Sequence, residues 1–228
     1  VTDENGSILN NFNGTVFPTV YVKSQEISTL ANDAGSIVRQ FDLQKNIIFK
    51  GAASVTNGSF TFSFVVPKDI DYNYGFGRIS YYAHDGTSVD AAGSYEKITI
   101  GGTAENPIQD DNPPLVEVFM NDEEFVFGGL TNTQPIIYVK LSDDFGINVA
   151  GTGIGHDLTA VLDENTQDII ILNDFYEAEV DNFKKGEARY PLNELEPGRQ
   201  TVRVKGWDIA NNSGEGYTEF VVAEDANI

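Results

Sequence analysis

Asn46–Gly86 reads NIIFKGAASVTNGSFTFSFVVPKDIDYNYGFGRISYYAHDG. Asn57-Gly58 is the dipeptide that best tolerates the two positive φ angles of a tight type I′ turn, which predicts a β-hairpin with that pair at its tip. In that register Val55 faces Phe60, Ala53 faces Phe62, Gly51 faces Phe64 and Phe49 faces Val66. This face is apolar or glycine throughout, whereas the other pairs Ser54 with Thr61 and Ala52 with Ser63. One face is therefore expected to be core and the other wet. Small residues opposite phenylalanine rings let the two strands interdigitate. Pro67 cannot donate to a ladder and closes the second strand. Arg78–Ala83 offers a further strand.

The same grammar continues outward. Short apolar, β-branched and aromatic runs recur between Gly, Asn, Asp and Pro clusters, and no stretch has helical periodicity, so the expectation is an all-β fold. Before residue 100 the expected strands are Thr15–Val22, Ile47–Val55, Ser59–Val66, Arg78–Ala83 and Tyr95–Ile100, with Ser24–Gln40 a long connection holding a short strand near Ile37–Val38. The stretch Gly101–Pro114 carries two glycines, three prolines and acidic residues without a core pattern, and reads as a linker. After it come Leu115–Met120, Ile136–Leu141, Asp157–Leu162, Ile169–Leu172, Ala188–Tyr190, Gln200–Trp207 and Glu215–Val222. The expected architecture is two tandem immunoglobulin-like antiparallel β-sandwich domains, 1–103 and 114–228, joined by 104–113.

Composition narrows the chemistry. The 228 residues carry 14 basic and 35 acidic side chains, a net charge of −21, and no cysteine. Phosphate contacts need Lys and Arg, so nucleic acid is not the expected partner, and anionic lipid is disfavoured for the same reason. Without cysteine there is neither disulfide nor thiol nucleophile. No apolar run reaches the ~20 residues that span a bilayer as a helix. Val1–Gly6 has neither a basic n-region nor an apolar h-region, and reads as the start of an excised or processed chain.

Few residues suggest a site. His156, within Gly153-Ile154-Gly155-His156-Asp157, has no nucleophile or second histidine beside it, and is expected to be structural, bonded to a carbonyl or carboxylate. The glycines around it are no phosphate cradle, because no GxxxxGK[ST] pattern is present. His84 reads as a solvated turn residue. The acidic loops are more suggestive. Asp143-Asp144, Asp208 with Asn211, and Asp110-Asp111 all sit at expected strand ends, which gather at the poles of a sandwich. Calcium takes six to eight oxygens from carboxylates and carbonyls, which makes Asp143, Asp144, Asp208 and Asn211 candidate ligands. The bland reading of the same residues is Asx turns and solvated charge. Trp207 is expected as a core anchor. Tyr72, Tyr74 and Phe76 read as a core lid, or, if exposed, as a binding patch. The sequons at Asn13, Asn57 and Asn211 read as turn chemistry.

Six blocks carry a resemblance: FNGTVFPTVYVK (Phe12–Lys23), NIIFKGAASVTNGSFTFSFVVPKDI (Asn46–Ile70), GRISYYA (Gly77–Ala83), MNDEEFVFGGLT (Met120–Thr131), GINVAGTGIGHDLTAVLD (Gly146–Asp163) and VKGWDIANNS (Val204–Ser213). In this order they resemble the non-catalytic region of type IX secretion system sortases, the PorU-type, gingipain-like cysteine peptidases of Bacteroidetes. The resemblance implies a parent that removes the C-terminal signal of secreted cargo at the Gram-negative cell surface. It also implies attachment of cargo to anionic lipopolysaccharide and an outer-membrane β-barrel partner. Such a peptidase needs a cysteine nucleophile, and this chain has none, so the expectation is a non-catalytic segment that positions the peptidase or docks partner or cargo. The alternative from another class is a free-standing cell-surface adhesin or glycan-binding module, stabilised by calcium.

Overall fold

The computed structural model describes residues 1–151 and 155–224. Among these residues the chain forms β1 (Gly14–Tyr21), β2 (Gln25–Ser28), β3 (Gln40–Leu43), β4 (Ile47–Val55), β5 (Gly75–His84), β6 (Asp90–Ile100), β7 (Leu115–Met120), β8 (Gly129–Thr131), β9 (Ile136–Ser142), β10 (Thr159–Leu162), β11 (Ile169–Ile171), β12 (Tyr176–Val180), β13 (Asn182–Pro191), β14 (Gly198–Trp207) and β15 (Ser213–Val222). One 3-10 turn, Asn173–Phe175, completes the set, and no α-helix occurs among the described residues. The all-β expectation holds.

The strands form an eight-stranded sheet, β6-β5-β1-β4-β12-β13-β9-β7, a five-stranded sheet, β11-β10-β14-β15-β8, and the separate hairpin β2-β3. Most pairs are antiparallel, as expected, but β12 runs parallel to β4 and β8 runs parallel to β15. The five-stranded sheet packs on the β13-β9-β7 end of the larger one. There Gly206 brings β14 so close that an added Cβ would lie 2.8 Å from Leu141 Cδ2. In β14, Val202 and Val204 face this interface, as their alternation predicts. Trp207 has the other parity, with Arg203 and Lys205, and is only partly buried, so it is not the core anchor expected of it.

The Asn57-Gly58 turn forms as read. Both residues have positive φ, 51° and 72°, and Thr56 and Ser59 exchange backbone hydrogen bonds of 2.9 and 3.0 Å. The expected strand Ser59–Val66 does not follow. The ladder stops at the Thr56–Ser59 bridge because both edges of β4 are already taken, by β1 on one side and β12 on the other. Residues 60–66 instead cross the face of the sheet. Their phenylalanines still point where the alternation put them: the Phe49 ring lies 5.8 Å from Phe62 and 4.8 Å from Phe64. Pro18 sits inside β1, a central strand, and there β1 and β4 leave Phe17 and Pro18 unpaired between Val16↔Ala53 and Thr19↔Lys50.

The expected boundary at 104–113 crosses continuous structure. The β4–β12 pair joins residues from either side of it in one sheet. One buried cluster also runs from Val20, Ile48 and Phe49 to Val139, Val204 and Phe220. A smaller cluster, Phe12, Val16, Ala53, Val55 and Ala83, lies on the first segment alone. We propose 104–113 as an exposed connection rather than a gap between independent bodies. Limited proteolysis should cut there, and the two pieces should co-elute from a native sizing column. Elution as separate species would mean that β4–β12 does not hold them together.

Candidate functional site

The strand ends at one pole bring three carboxylates together. Asp143 follows β9, Asp208 follows β14, and Asp110 lies in the connection that leads to β7. One carboxylate oxygen from each lies within 4.8 Å of the other two. Calcium–oxygen bonds are about 2.3–2.6 Å, so ligands around one ion stand up to about 5 Å apart. The spacing therefore suits one divalent cation.

Local turns fix each side chain. Asp143 Oδ1 accepts from the Phe145 and Gly146 amides at 2.7 and 3.0 Å. Asp208 is fully buried, and its Oδ1 accepts from the Ala210 and Asn212 amides at 2.9 and 2.7 Å while Oδ2 accepts from Asn212 Nδ2 at 2.7 Å. Asn212 Nδ2 also donates to the Asp110 carbonyl at 2.9 Å, which ties the connection to the pole. Asp110 Oδ1 accepts from the Asn112 amide at 3.0 Å, but its Oδ2 is buried without a hydrogen-bond partner. Burial pushes the Asp143 carboxyl above the ordinary aspartate range; its two amide bonds oppose this, and the Asp208 and Asp110 charges add to it. Three carboxylates crowded in this way repel one another, and the Lys68 ammonium at the same pole is spent on the Ala210 carbonyl at 3.2 Å.

Of the candidates named from sequence, Asp143 and Asp208 enter the cluster. Asp144 is exposed and stays outside it. Asn211 turns away, donating from Nδ2 to Asp69 Oδ1 at 2.8 Å, and its Oδ1 is buried without a partner. Asp110 carried the same strand-end signal as Asp143.

Asp69 carried no such signal. Its side chain is 9% exposed. Its Oδ2 accepts from Asn148 Nδ2 at 2.9 Å and from His156 Nδ1–H at 2.6 Å, and its Oδ1 takes the Asn211 bond. The expected structural role of His156 is thus met by a carboxylate from the first segment. Its ring lies 4.3 Å from that of Trp207, and Lys205 Nζ lies 4.6 Å from the centre of the Trp207 ring. Residues 152–154 of the glycine stretch before it lie outside the described residues. His84 closes β5, accepts the Gly86 amide at 3.1 Å and stacks on Phe17. Tyr72, Tyr74 and Phe76 are exposed, so they form no lid over the core.

No protein-family model and no curated protein matches the chain. Among solved structures, the crystal structure of dimeric latent PorU from Porphyromonas gingivalis matches all of this chain at 30% identity and a TM-score of 0.51. The chain spans 21% of the length of that protein, and its similarity is to that region of PorU.

Proposed function

We propose that the chain is a non-catalytic β-sandwich segment of a type IX secretion sortase at the cell surface of a Bacteroidetes bacterium. It would position a gingipain-like peptidase unit, or dock the outer-membrane β-barrel partner or the secreted cargo. The observation that carries this reading is the alignment of the whole chain, at 30% identity, with about a fifth of PorU. The lack of any cysteine in the sequence supports a supporting rather than a chemical role. Two results test it together. The reading frame flanking the chain should encode a Cys/His peptidase. The purified chain should leave a cargo C-terminal domain intact in the presence of reductant. Thiol-dependent cleavage by the pure chain, or a flanking frame without a peptidase, would overturn it.

We also propose that Asp110, Asp143 and Asp208 bind calcium as a structural ion. The buried, unpartnered Oδ2 of Asp110 beside two other carboxylates supports this. Binding to the folded state alone stabilises it by about 2.7 kcal/mol at a hundredfold excess over Kd. At about 2–4 °C per kcal/mol for a chain of this size, melting should rise by roughly 5–10 °C. Asp143→Asn keeps the amide bonds of the turn but removes a charge, and should abolish most of that rise. The sign in chelator is opposite. A carboxyl whose folded pKa is raised loses stability as pH climbs through that value. Without calcium at neutral pH, Asp143→Asn should therefore melt no lower than the parent. A calcium-induced rise that survives in Asp143→Asn and Asp208→Asn would instead report general screening of the −21 charge.

A further inference from the structure

Residues 60–67, Phe-Thr-Phe-Ser-Phe-Val-Val-Pro, have the composition of a strand and no strand partner. Backbone pairing stops at Ser59, bonded to Thr56, and resumes at Lys68, whose amide donates to the Ile209 carbonyl at 3.1 Å. Between them no backbone N–H or C=O bonds to any described residue. The side chains are nonetheless well seated. Phe60 lies 5.6 Å from the Tyr81 ring, and Phe62 and Phe64 stack on Phe49, while Thr61 and Ser63 are exposed. Alternate side chains turn onto the large sheet, so the segment forms a second layer over the first half of it without joining a ladder. The five-stranded sheet supplies this second layer for the other half.

Backbone groups in an extended, side-chain-anchored segment are either solvated or paired, and an unpaired edge held in place is a template for another strand. A cleft of about 290 Å³ is lined by Thr61, Phe62 and Ser63 and by Glu179 and Asp181, with no basic residue in the lining. Asp181 already accepts from the Ser54 amide and hydroxyl at 2.8 and 2.6 Å but keeps its negative charge. The complement of such a cleft is an extended peptide with basic side chains.

We propose that Phe60–Val66 is a strand-addition site, which takes an extended segment of a partner protein bearing Lys or Arg beside Glu179 and Asp181. Main-chain bonds would supply affinity, and the acidic wall would set preference. This deepens the docking half of the function proposed above. It rests on that reading for the partner's identity, and on the unpaired backbone for the site.

The test uses an amidated octapeptide of alternating lysine and valine, read by amide hydrogen exchange on the 228-residue chain. In the free chain the amides of Thr61–Val66 should exchange nearly as fast as in an unfolded peptide. The octapeptide should protect alternate amides there. N-methylating its lysine positions or its valine positions should abolish protection in one case and spare it in the other, because a strand pairs through one edge. Glu179→Gln should weaken binding about threefold, the scale of one exposed charge pair. Slow exchange in the free chain would overturn the proposal. So would equal binding of both methylated peptides, or protection that appears with chain concentration alone, which would mean pairing with a second copy. Failure of the octapeptide to bind would also overturn the site. It would leave the sortase-segment reading standing, since that is judged on cleavage and the flanking frame.

Discussion

Asp69→Ala should destabilise the chain by about 2–4 kcal/mol, the cost of leaving buried and half-buried donors without their acceptor. The carboxylate is 9% exposed and accepts bonds from Asn148, His156 and Asn211. Asn148 is fully buried, so its amide has no water to turn to once the acceptor is gone. Each stranded donor costs about 1–3 kcal/mol. The three partners all come from the second segment, and the neighbouring Lys68 amide also bonds there, to Ile209. The loss should therefore loosen the docking of residues 65–72 on the 208–212 loop and leave the Asn57-Gly58 turn intact. Asp69→Asn retains one acceptor oxygen and should fall between alanine and the parent. The measurement is the denaturant midpoint of each variant with an unchanged m-value. A loss below about 1 kcal/mol for the alanine variant would mean that Asp69 does not latch the two segments.

How far the sequence reveals this molecule follows from what each signal encodes. Alternation specifies which face of a strand is buried, and on that point the hairpin reading is sound: Phe60 and Phe62 pack with Ala53 and Val55. Alternation does not specify which strand supplies the hydrogen bonds. The run Gly51-Ala52-Ala53 is buried on both faces, and Gly51 admits Ala178 so closely that an added Cβ would lie 3.0 Å from its Cβ. That is the trace of a central strand with a neighbour on each side, but it names no neighbour. The neighbour, β12, reads Tyr-Glu-Ala-Glu-Val and hides behind its glutamates. The short β2, β3 and β8 are likewise too brief to show a period. At the site, Asp143 and Asp208 are legible because both follow clear strands, whose ends meet at a pole. Asp69 is not. Asn148, His156 and Asn211 lie 79, 87 and 142 residues away from it, and nothing local to Lys68-Asp69-Ile70 marks the carboxylate as buried.

Gly58→Val tests the turn from which the reading of the chain began, and the expected loss is about 4 kcal/mol. Two separate costs combine. Gly58 has φ of 72°, where a β-branched residue is strained by about 1–3 kcal/mol. It is also buried under the N-terminal segment: an added Cβ would lie 2.6 Å from the Leu9 carbonyl oxygen and 2.9 Å from Ile8 Cγ2. The Leu9 oxygen is backbone and cannot swing aside, so the segment must lift, at the roughly 1–3 kcal/mol typical of overpacking. Lifting it would strain the bond from the Gly58 amide to the Phe12 carbonyl, 2.8 Å long, and Phe12 belongs to the smaller buried cluster. Asn57→Gly is the control one residue away. Asn57 already has φ of 51°, a conformation that glycine adopts without strain, and its amide bond to Asn13 Oδ1 does not need the side chain. That variant should stay within about 1 kcal/mol of the parent. Gly58→Ala separates the two costs, since it lacks the β-branch but keeps the contact with Leu9. If the clash matters, alanine should lose at least half as much as valine. An unchanged melting temperature for Gly58→Val would mean that the left-handed turn and the seat of residues 8–12 upon it are both wrong.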